Sequence, residues 1–417
     1  DSPQRAAGPD RRSARRLAAQ ALTPDLKFAD YDYDMTLFKL AYLLLLRLGS
    51  PVLADEQADR KFDFFGDFRL RLEQDWDSLQ GDGTERDDRL RLRFRLRGGF
   101  DYHFNDQWTA RVQARSGPKQ SQQSPHITIH DFDGGSSGPY EFNFDYWFMR
   151  FEADGFEAWA GRNELSFWHQ DDLFVFDNVT YAGIGGSYRR ALGRGALTFN
   201  LNYVALPVGM RDFSGTGLIG QVMYERDTKD SGFTIAGGFY VTNADADDPV
   251  AADLLLTENG SRDYSVFELQ FQYRSRLADI PYDVGFDVTH NAKNYDNEPV
   301  DSFSEFHKDH VDGYVVHLTV GDKSEPGDWQ FGYYYAHQEA LTTHSSYVQD
   351  DWVRWGNAVQ ARTTNMKGSE FRALYTIRPG FNIFARLFFV DAIDLLQPGD
   401  TTLETGSRFR IEANISF

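Results

Sequence analysis

The amino-acid sequence predicts an all-β fold, a single antiparallel transmembrane β-barrel of about sixteen strands. Three observations predict it: apolar and charged residues alternate strictly, strand-like segments and turns succeed one another regularly, and the composition is polar but rich in aromatic residues. The clearest alternation lies in Arg89–Phe104, whose first nine residues alternate arginine with Leu or Phe. A period of two places five arginines on one face of a strand. A dry core cannot hold them, whereas a wall between lipid and water satisfies both faces.

The composition agrees with a barrel. The chain has 417 residues, 41% of them hydrophobic, yet its mean hydropathy is −0.53, which argues against a helical membrane protein. The 35 Phe and 21 Tyr would supply aromatic girdles at the lipid interfaces. A net charge of −20 argues against a nucleic-acid partner. The chain has no cysteine, which excludes disulfides, thiolate metal sites and cysteine nucleophiles.

The first part of the chain lacks a strand pattern. We expect residues 1–34 to be disordered or a mis-included upstream segment. Met35–Ala54 combines a lysine, an apolar run and a small final residue, as a signal peptide cleaved before Asp55 would. N-terminal sequencing of the mature protein should then read Asp55-Glu56. The alternative is a membrane-spanning or amphipathic helix, since the run is near the minimum spanning length of about 17 residues. We expect the barrel within residues 55–417.

From Phe62 onward the chain consists of alternating segments separated by turns. Short connections (105–107, 153–155, 193–195, 227–232, 277–281, 321–328 and 379–380) alternate with mostly longer polar ones (77–88, 116–140, 166–180, 207–217, 243–262, 291–312, 339–368 and 391–406). Short turns at one rim and long loops at the other are typical of outer-membrane barrels. The predicted strands are 62–76, 89–104, 108–115, 141–152, 156–165, 181–192, 196–206, 218–226, 233–242, 263–276, 282–290, 313–320, 329–338, 369–378, 381–390 and 407–417.

The last segment, Ser407–Phe417, alternates apolar and polar residues and ends on Phe417. It resembles the assembly signal of Gram-negative outer-membrane proteins. Together with Gly66–Arg71, Arg89–Arg97, Trp108–Arg111 and Ala160–Arg162, it makes the chain similar to bacterial outer-membrane porins, most closely the family named putative porins.

This resemblance implies a diffusion channel in the outer membrane of a Gram-negative bacterium, surrounded by lipid and lipopolysaccharide. General porins add a homotrimeric state and a third loop folded into the pore. The third loop here, 166–180, departs from the familiar acidic constriction motif.

Basic side chains are the first candidates for lining the lumen, because they fall on the inferred water face. Acidic residues of loop 166–180 could oppose them and create a transverse field. The alternative is that the arginines pair with Asp67, Glu73 and Asp101 and stiffen the wall. The predicted pore-lining residues are Arg69, Arg71, Arg89, Arg91, Arg93, Arg95, Arg97, Arg111, Arg115 and Arg162; those of the constriction loop are Trp168, Asp171, Asp172 and Asp177.

Two further groups could bind cations. Asp245, Asp247 and Asp248 in one loop and the segment Asn294–Glu298 in another offer the oxygen ligands that hard cations prefer. The favoured alternative is a solvated surface that interacts loosely with divalent ions. His307 and His310 lie in one loop, and the strand histidines His317 and His337 could meet across a strand pair. Lumen polarity is the favoured explanation of these histidines, and we predict no metal and no cofactor.

The sequence therefore favours passive diffusion of small hydrophilic solutes or ions, with no enzymatic activity. The alternative is a channel selective for oligosaccharides or anionic solutes, which would use the arginines and the loop aromatics Phe167, Trp168, Phe174 and Phe176. A barrel enzyme has no motif in its favour.

Overall fold

The structure is a computed structural model and describes residues 61–135, 137–244, 263–352 and 364–417. The predicted segments 1–34 and 35–54 lie outside the described residues, as do Asp245, Asp247 and Asp248. No helix in the described ranges is long and apolar enough to cross a membrane.

The described chain is almost entirely β-structure, with one single-turn helix, α1 (Phe303–Phe306). The strands are β1 (Phe62–Trp76), β2 (Ser78–Leu79), β3 (Glu85–Arg86), β4 (Arg89–His103), β5 (Trp108–Ser116), β6 (Ile127–Asp131), β7 (Phe142–Ala153), β8 (Phe156–Asn163), β9 (Tyr181–Leu192), β10 (Gly195–Val208), β11 (Asp212–Asp227), β12 (Ser231–Asn243), β13 (Tyr264–Leu277), β14 (Ile280–Asn291), β15 (Asp312–Gly321), β16 (Trp329–Gln338), β17 (Met366–Arg378), β18 (Phe381–Ala392) and β19 (Thr405–Ser416).

Sixteen of these strands form a closed antiparallel barrel. Strand β1 closes the ring because it pairs with β4 on one side and with β19 on the other. Beside the ring, β6 attaches to the long-loop end of β4, and β2 with β3 forms a separate small hairpin. The chain end is tied to β1, since the backbone groups of Gly66 and Phe417 exchange two hydrogen bonds of 3.0 Å.

The predicted sixteen-strand barrel is confirmed, and each predicted segment corresponds to one strand. The connection predicted at 207–217 is wrong in length, because β10 runs to Val208 and β11 starts at Asp212. The proline and the glycines of this stretch, which predict a turn, lie within or beside paired strands and do not end the sheet. The pairing shifts register between Ala205 and Pro207, where the proline has no N–H to donate, and Gly209 adopts a positive φ of 74°.

The two faces of the barrel wall differ as the alternation requires. In β1, Leu72 is 37% exposed, whereas its neighbours Arg71 and Glu73 are 1% and 0% exposed. The outer surface is therefore apolar and the charged face points inward. Exposed apolar residues on other strands include Met149, Ile184, Leu201, Leu218, Phe267, Leu269, Phe286, Val316, Phe331, Phe371, Phe409 and Ile411.

Three long loops fold into the barrel and contact one another there. They are residues 117–126, 164–180 and 339–352. Gln123 Nε2 donates to the Ser345 carbonyl at 2.8 Å, and the Gln349 N–H donates to the Asp172 carbonyl at 2.9 Å. These contacts form an internal collar of loops, and the candidate site lies between this collar and the barrel wall.

Candidate functional site

A ladder of opposite charges crosses the closure of the barrel. Because β1 lies between β4 and β19, its inward carboxylates meet arginines from both neighbours. Asp75 accepts from Arg408 Nε at 2.5 Å and from Arg89 Nη2 at 3.0 Å. Glu73 lies 2.7 Å from Arg410 Nε and also pairs with Arg91. Each carboxylate therefore holds two strands at once.

The same pattern continues toward the short-turn rim. Asp67 accepts from Arg95 Nη2 at 2.7 Å and from Arg97 Nε at 2.6 Å. Asp101 binds Arg111 through two hydrogen bonds of 2.7 and 2.6 Å. These pairings are the ones that the alternative of a stiffened wall proposed.

Glu412 joins the ladder near its centre. It lies 2.6 Å from Arg71 Nε and 3.2 Å from Arg69 Nε, and Arg69 also donates to Asn414 at 2.6 Å. Arg71 is fully enclosed, whereas the Arg69 side chain is 20% exposed and lines open lumen.

The inner loop 339–352 adds one more carboxylate, that of Asp351, to those supplied by the strands. Asp351 Oδ2 accepts from Arg386 Nη1 at 2.7 Å, Asp351 also pairs with Arg410, and Arg71 Nη1 lies 3.8 Å away. Burial opposes ionisation of Asp351, but Arg410, Arg386 and Arg71 outweigh it and hold its pKa well below the usual range. Asp351 is therefore a fixed negative charge among arginines.

The loop 164–180 runs along the opposite wall before it turns toward the arginines. The Trp168 N–H donates to Gln221 Oε1 at 2.8 Å, and Gln170 Nε2 lies 3.3 Å from the carbonyls of Phe271 and Phe286. Asp171 Oδ1 accepts from the Leu173 N–H at 2.8 Å, and the Asp171 carboxyl group lies beside Asp287 of β14. Trp168 and Asp171 therefore lie on the wall away from the arginine ladder.

Asp172 and Asp177 instead face the arginines across a small cavity. This cavity measures about 130 Å³. A larger cavity of about 530 Å³ opens toward the short-turn rim and shares Arg69, Arg95 and Phe384 with the first. The small cavity is lined by Arg69, Arg71, Arg95, Pro125, His126, Asp172, Phe176, Asp177, Asn178, Asp350, Asp351, Arg372, Phe384 and Arg386.

Titration of the loop groups follows from their surroundings. Burial, together with the nearby Asp177, raises the pKa of Asp172 to about 7, although His169, Arg372 and Arg386 oppose the shift. Burial and the neighbouring arginines hold the pKa of His126 well below its usual value. Asp172 thus changes charge near neutral pH, while His126 stays uncharged.

Two of the predicted pore-lining arginines donate to backbone carbonyls and do not line either cavity. Arg115 donates to the carbonyls of Asn178 and Ser121 at 2.9 and 2.7 Å. Arg162 donates to the Met210 carbonyl at 2.7 Å. Both are buried and bind loop segments to the wall. Of the remaining eight, Arg69, Arg71, Arg95, Arg97 and Arg111 line a cavity, and Arg89, Arg91 and Arg93 lie in the paired ladder.

Several residues of the site were not among the sequence candidates. For the residues on β17, β18 and β19 the signal is the same inward alternation, but it becomes informative only once β19 is paired with β1. Asp351 has no comparable signal, because it lies in a long loop. The added residues are His126, Asp350, Asp351, Glu370, Arg372, Phe384, Arg386, Arg408, Arg410 and Glu412.

The strand histidines do not meet, so the less favoured of the two interpretations of these residues is wrong. Register places His317 opposite Tyr334 and His337 opposite Tyr314. The ring of His317 points inward and stacks on Tyr334 at 4.9 Å, whereas His337 stacks on Tyr314 at 5.3 Å. The two histidines sit at positions of opposite parity, so their side chains leave the sheet on opposite faces.

Comparisons with known proteins give a family match over part of the chain and several solved structures with a similar fold. Residues 78–246 match the sequence family described as "Putative porin". OprB of Pseudomonas putida has a similar structure, with 12% identity, coverage of 86% of this chain and 95% of that chain, and a TM-score of 0.54. An anion-selective porin from Comamonas acidovorans is 11% identical, covering 85% and 99% of the two chains at a TM-score of 0.47. OmpT of Vibrio cholerae, described in a trimer form, is 10% identical, with coverage of 85% and 99% and a TM-score of 0.45.

No curated relative matches the chain. At these identities the solved structures are evidence for the fold alone. Of the three, OprB has a TM-score above 0.5, and the similarity in fold therefore rests on OprB. The family match over residues 78–246, the closed sixteen-strand barrel and its apolar outer surface together support a non-enzymatic diffusion channel of the Gram-negative outer membrane, similar to the bacterial porins.

Proposed function

We propose that small hydrophilic solutes and ions cross this barrel along the inward-facing Arg69, Arg71 and Arg95, which we call the arginine wall. They pass between this wall and the carboxylates of Asp172 and Asp177. The observation that carries the proposal is the small cavity, where Arg69, Arg71 and Arg95 face the two loop carboxylates. The same wall continues into the larger cavity at the short-turn rim, which supports a shared path for the solute.

A transverse field across the small cavity would order water and favour polar solutes. Its lining carries five arginines and four aspartates, namely Arg69, Arg71, Arg95, Arg372 and Arg386 against Asp172, Asp177, Asp350 and Asp351. The balance is nearly even, so we expect a modest ion preference that favours anions most when Asp172 is protonated. The volume of about 130 Å³ favours small solutes over oligosaccharides.

The second candidate is a channel selective for anionic solutes. The observation in its favour is that the rings of Phe176 and Phe384 line the cavity beside the arginines. An apolar ring next to a guanidinium group would suit an anion with a flat apolar part. Block of ion current by such a solute, without block by neutral sugars, would favour this candidate over general diffusion.

Planar-bilayer recording tests the proposal. The protein should give an ohmic conductance, and the reversal potential in a salt gradient should move toward cations when Arg69 and Arg95 are both replaced by Gln. Arg194→Gln is the control, since it removes one arginine charge from an exposed short turn away from the small cavity. If the double variant keeps the parent reversal potential, the arginine wall does not set selectivity.

We also propose a homotrimer, which rests on the resemblance to general porins. Chemical cross-linking in detergent should yield a species of three chains. A cross-linked ladder that ends at one or two chains would contradict the trimer and would leave the conductance proposal unaffected.

A further inference from the structure

Three possible metal ligands from two loops converge at the long-loop rim. His307 and His310 belong to the loop between β14 and β15, and Asp394 belongs to the loop between β18 and β19. One ligand atom from each lies within 4.8 Å of the other two. This group lies outside the small cavity described above.

The backbone positions these side chains. Ser302 caps α1 by accepting from the Glu305 N–H at 3.2 Å, and His307 follows the helix directly. The His310 N–H donates to the His307 carbonyl at 2.8 Å, and this tight turn brings the two imidazoles together.

Asp394 is held from the other side. Its N–H donates to Asn365 Oδ1 at 3.1 Å, and Asn365 Nδ2 donates to its carbonyl at 2.9 Å. These two hydrogen bonds fix the backbone that carries the Asp394 carboxylate.

Two of the three distances between ligand atoms match those of tetrahedral zinc, and the third is at most 4.8 Å. His307 Nδ1 and His310 Nδ1 are 3.3 Å apart, and His310 Nδ1 is 3.5 Å from Asp394 Oδ2. Zinc bonds of about 2.0–2.2 Å in a tetrahedron separate neighbouring ligands by about 3.3–3.6 Å. Two imidazole nitrogens and a carboxylate are also ligand types that zinc prefers.

The orientation of the His307 ring also favours metal binding. Its Nε2 lies 3.1 Å from the Leu396 carbonyl, which can only accept, so Nε2 carries the proton and Nδ1 presents its lone pair. Metal-bound histidines commonly donate their other ring N–H to a backbone carbonyl in this way. The rings of Phe303 and Phe306 pack against His307 at 4.6 and 4.8 Å and fix its plane.

We propose that His307, His310 and Asp394 bind one Zn²⁺ ion at the long-loop rim, with a water molecule in the fourth position. The side chains of His310 and Asp394 are 31% and 42% exposed, which gives the ion a route from solvent. The bound ion joins the two loops. It also lies beside the inner loop 339–352, because the Leu341 N–H donates to the His310 carbonyl at 2.9 Å.

Direct zinc binding to the full chain tests the site. The protein, purified in detergent without a histidine tag and treated with chelator, is titrated with Zn²⁺ alone by calorimetry at pH 7.5. We expect one ion per chain, and at least a tenfold weaker affinity in His310→Asn and in Asp394→Asn. Co²⁺ should give the visible absorption of a four-coordinate site in the parent and lose it in both variants.

The matched control is His290→Asn. His290 Nδ1 lies 2.7 Å from Asp312 Oδ1, so this exposed pair resembles the site, but the part of the chain that the structure describes offers it no third ligand. Heat-modifiable migration on gels checks that each variant is folded, and the exposed positions of His310 and Asp394 make folding failure less of a concern than at buried His307. Zinc affinity equal in the parent, Asp394→Asn and His290→Asn would overturn the proposal and leave a hydrogen-bonded group without metal. Stronger binding of Ca²⁺ than of Zn²⁺ would overturn it too.

Discussion

The carboxylate of Asp351 accepts a hydrogen bond from Arg386 Nη1 at 2.7 Å, which fixes the inner loop 339–352 to β18. The same carboxylate pairs with Arg410 and approaches Arg71, and the Asp351 carbonyl accepts from Arg408 Nη1 at 2.5 Å. One loop residue thus engages arginines from β1, β18 and β19. Because all of these groups are buried, the ion pairs are screened little by solvent.

Replacement of Asp351 by Asn should therefore widen the lumen. The change removes one of the two carboxylates that pair with each arginine, leaving Arg386 with Glu370 and Arg410 with Glu73. Breaking a buried pair costs up to about 3–5 kcal/mol. We expect the loop to leave the wall, raising single-channel conductance and moving the reversal potential toward anions. Asp106→Asn, in an exposed short turn, is the control. A parent-like conductance in folded Asp351→Asn would show that the loop does not restrict the path.

Ion selectivity should change with pH near neutrality. The pKa of Asp172 is raised to about 7, so the carboxyl is neutral below that pH and charged above it. Lowering the pH from about 8 to about 6 removes a negative charge from the constriction and should raise the preference for anions. The reversal potential of Asp172→Asn should resemble the low-pH parent at both values. An equally steep pH dependence in that variant would assign the titration to another group.

The free energy of unfolding provides a test of the packing inside β9. A Cβ atom at Gly185 would lie 2.6 Å from the ring of Trp159, whereas one at Gly237 would find its nearest neighbour, the Glu268 carbonyl, at 4.0 Å. Gly185→Ala should therefore destabilise the barrel by about 1–3 kcal/mol through overpacking. Gly237→Ala is the matched control and should change little. Urea unfolding in detergent, followed by tryptophan fluorescence, measures both; equal stability of the two variants would contradict the close packing.

The apolar outer face should show a depth-dependent penalty for charge. Leu201 is 57% exposed at the middle of β10, and Leu192 is 55% exposed at the short-turn end of β9. Arginine near the bilayer midplane costs about 2–4 kcal/mol, against about 0–1 kcal/mol near the interface. Folding into lipid vesicles should therefore be weakened much more by Leu201→Arg than by Leu192→Arg. Similar losses at the two positions would argue against a lipid-facing surface at Leu201.

The number of strands and the direction of each face could be predicted from the sequence. Both depend on local alternation, because a residue's parity within a strand decides which face it occupies. The arginines of Arg89–Arg97 could thus be assigned to the inner face before any partner was known. The length of the connection near Pro207 could not, since proline and glycine occur both in turns and in irregular strand pairs.

What the sequence by itself determined is the barrel: its strands, its inward charges and its apolar surface. Only the tertiary structure decided which charges meet. Arg408 and Asp75 are 333 residues apart and become partners because the last strand pairs with the first. Asp351 meets Arg386, and His310 approaches Asp394, because loops of unrelated sequence fold toward the same place. Alternation is a property of neighbouring residues, whereas these contacts depend on chain closure and loop packing, which no local pattern encodes.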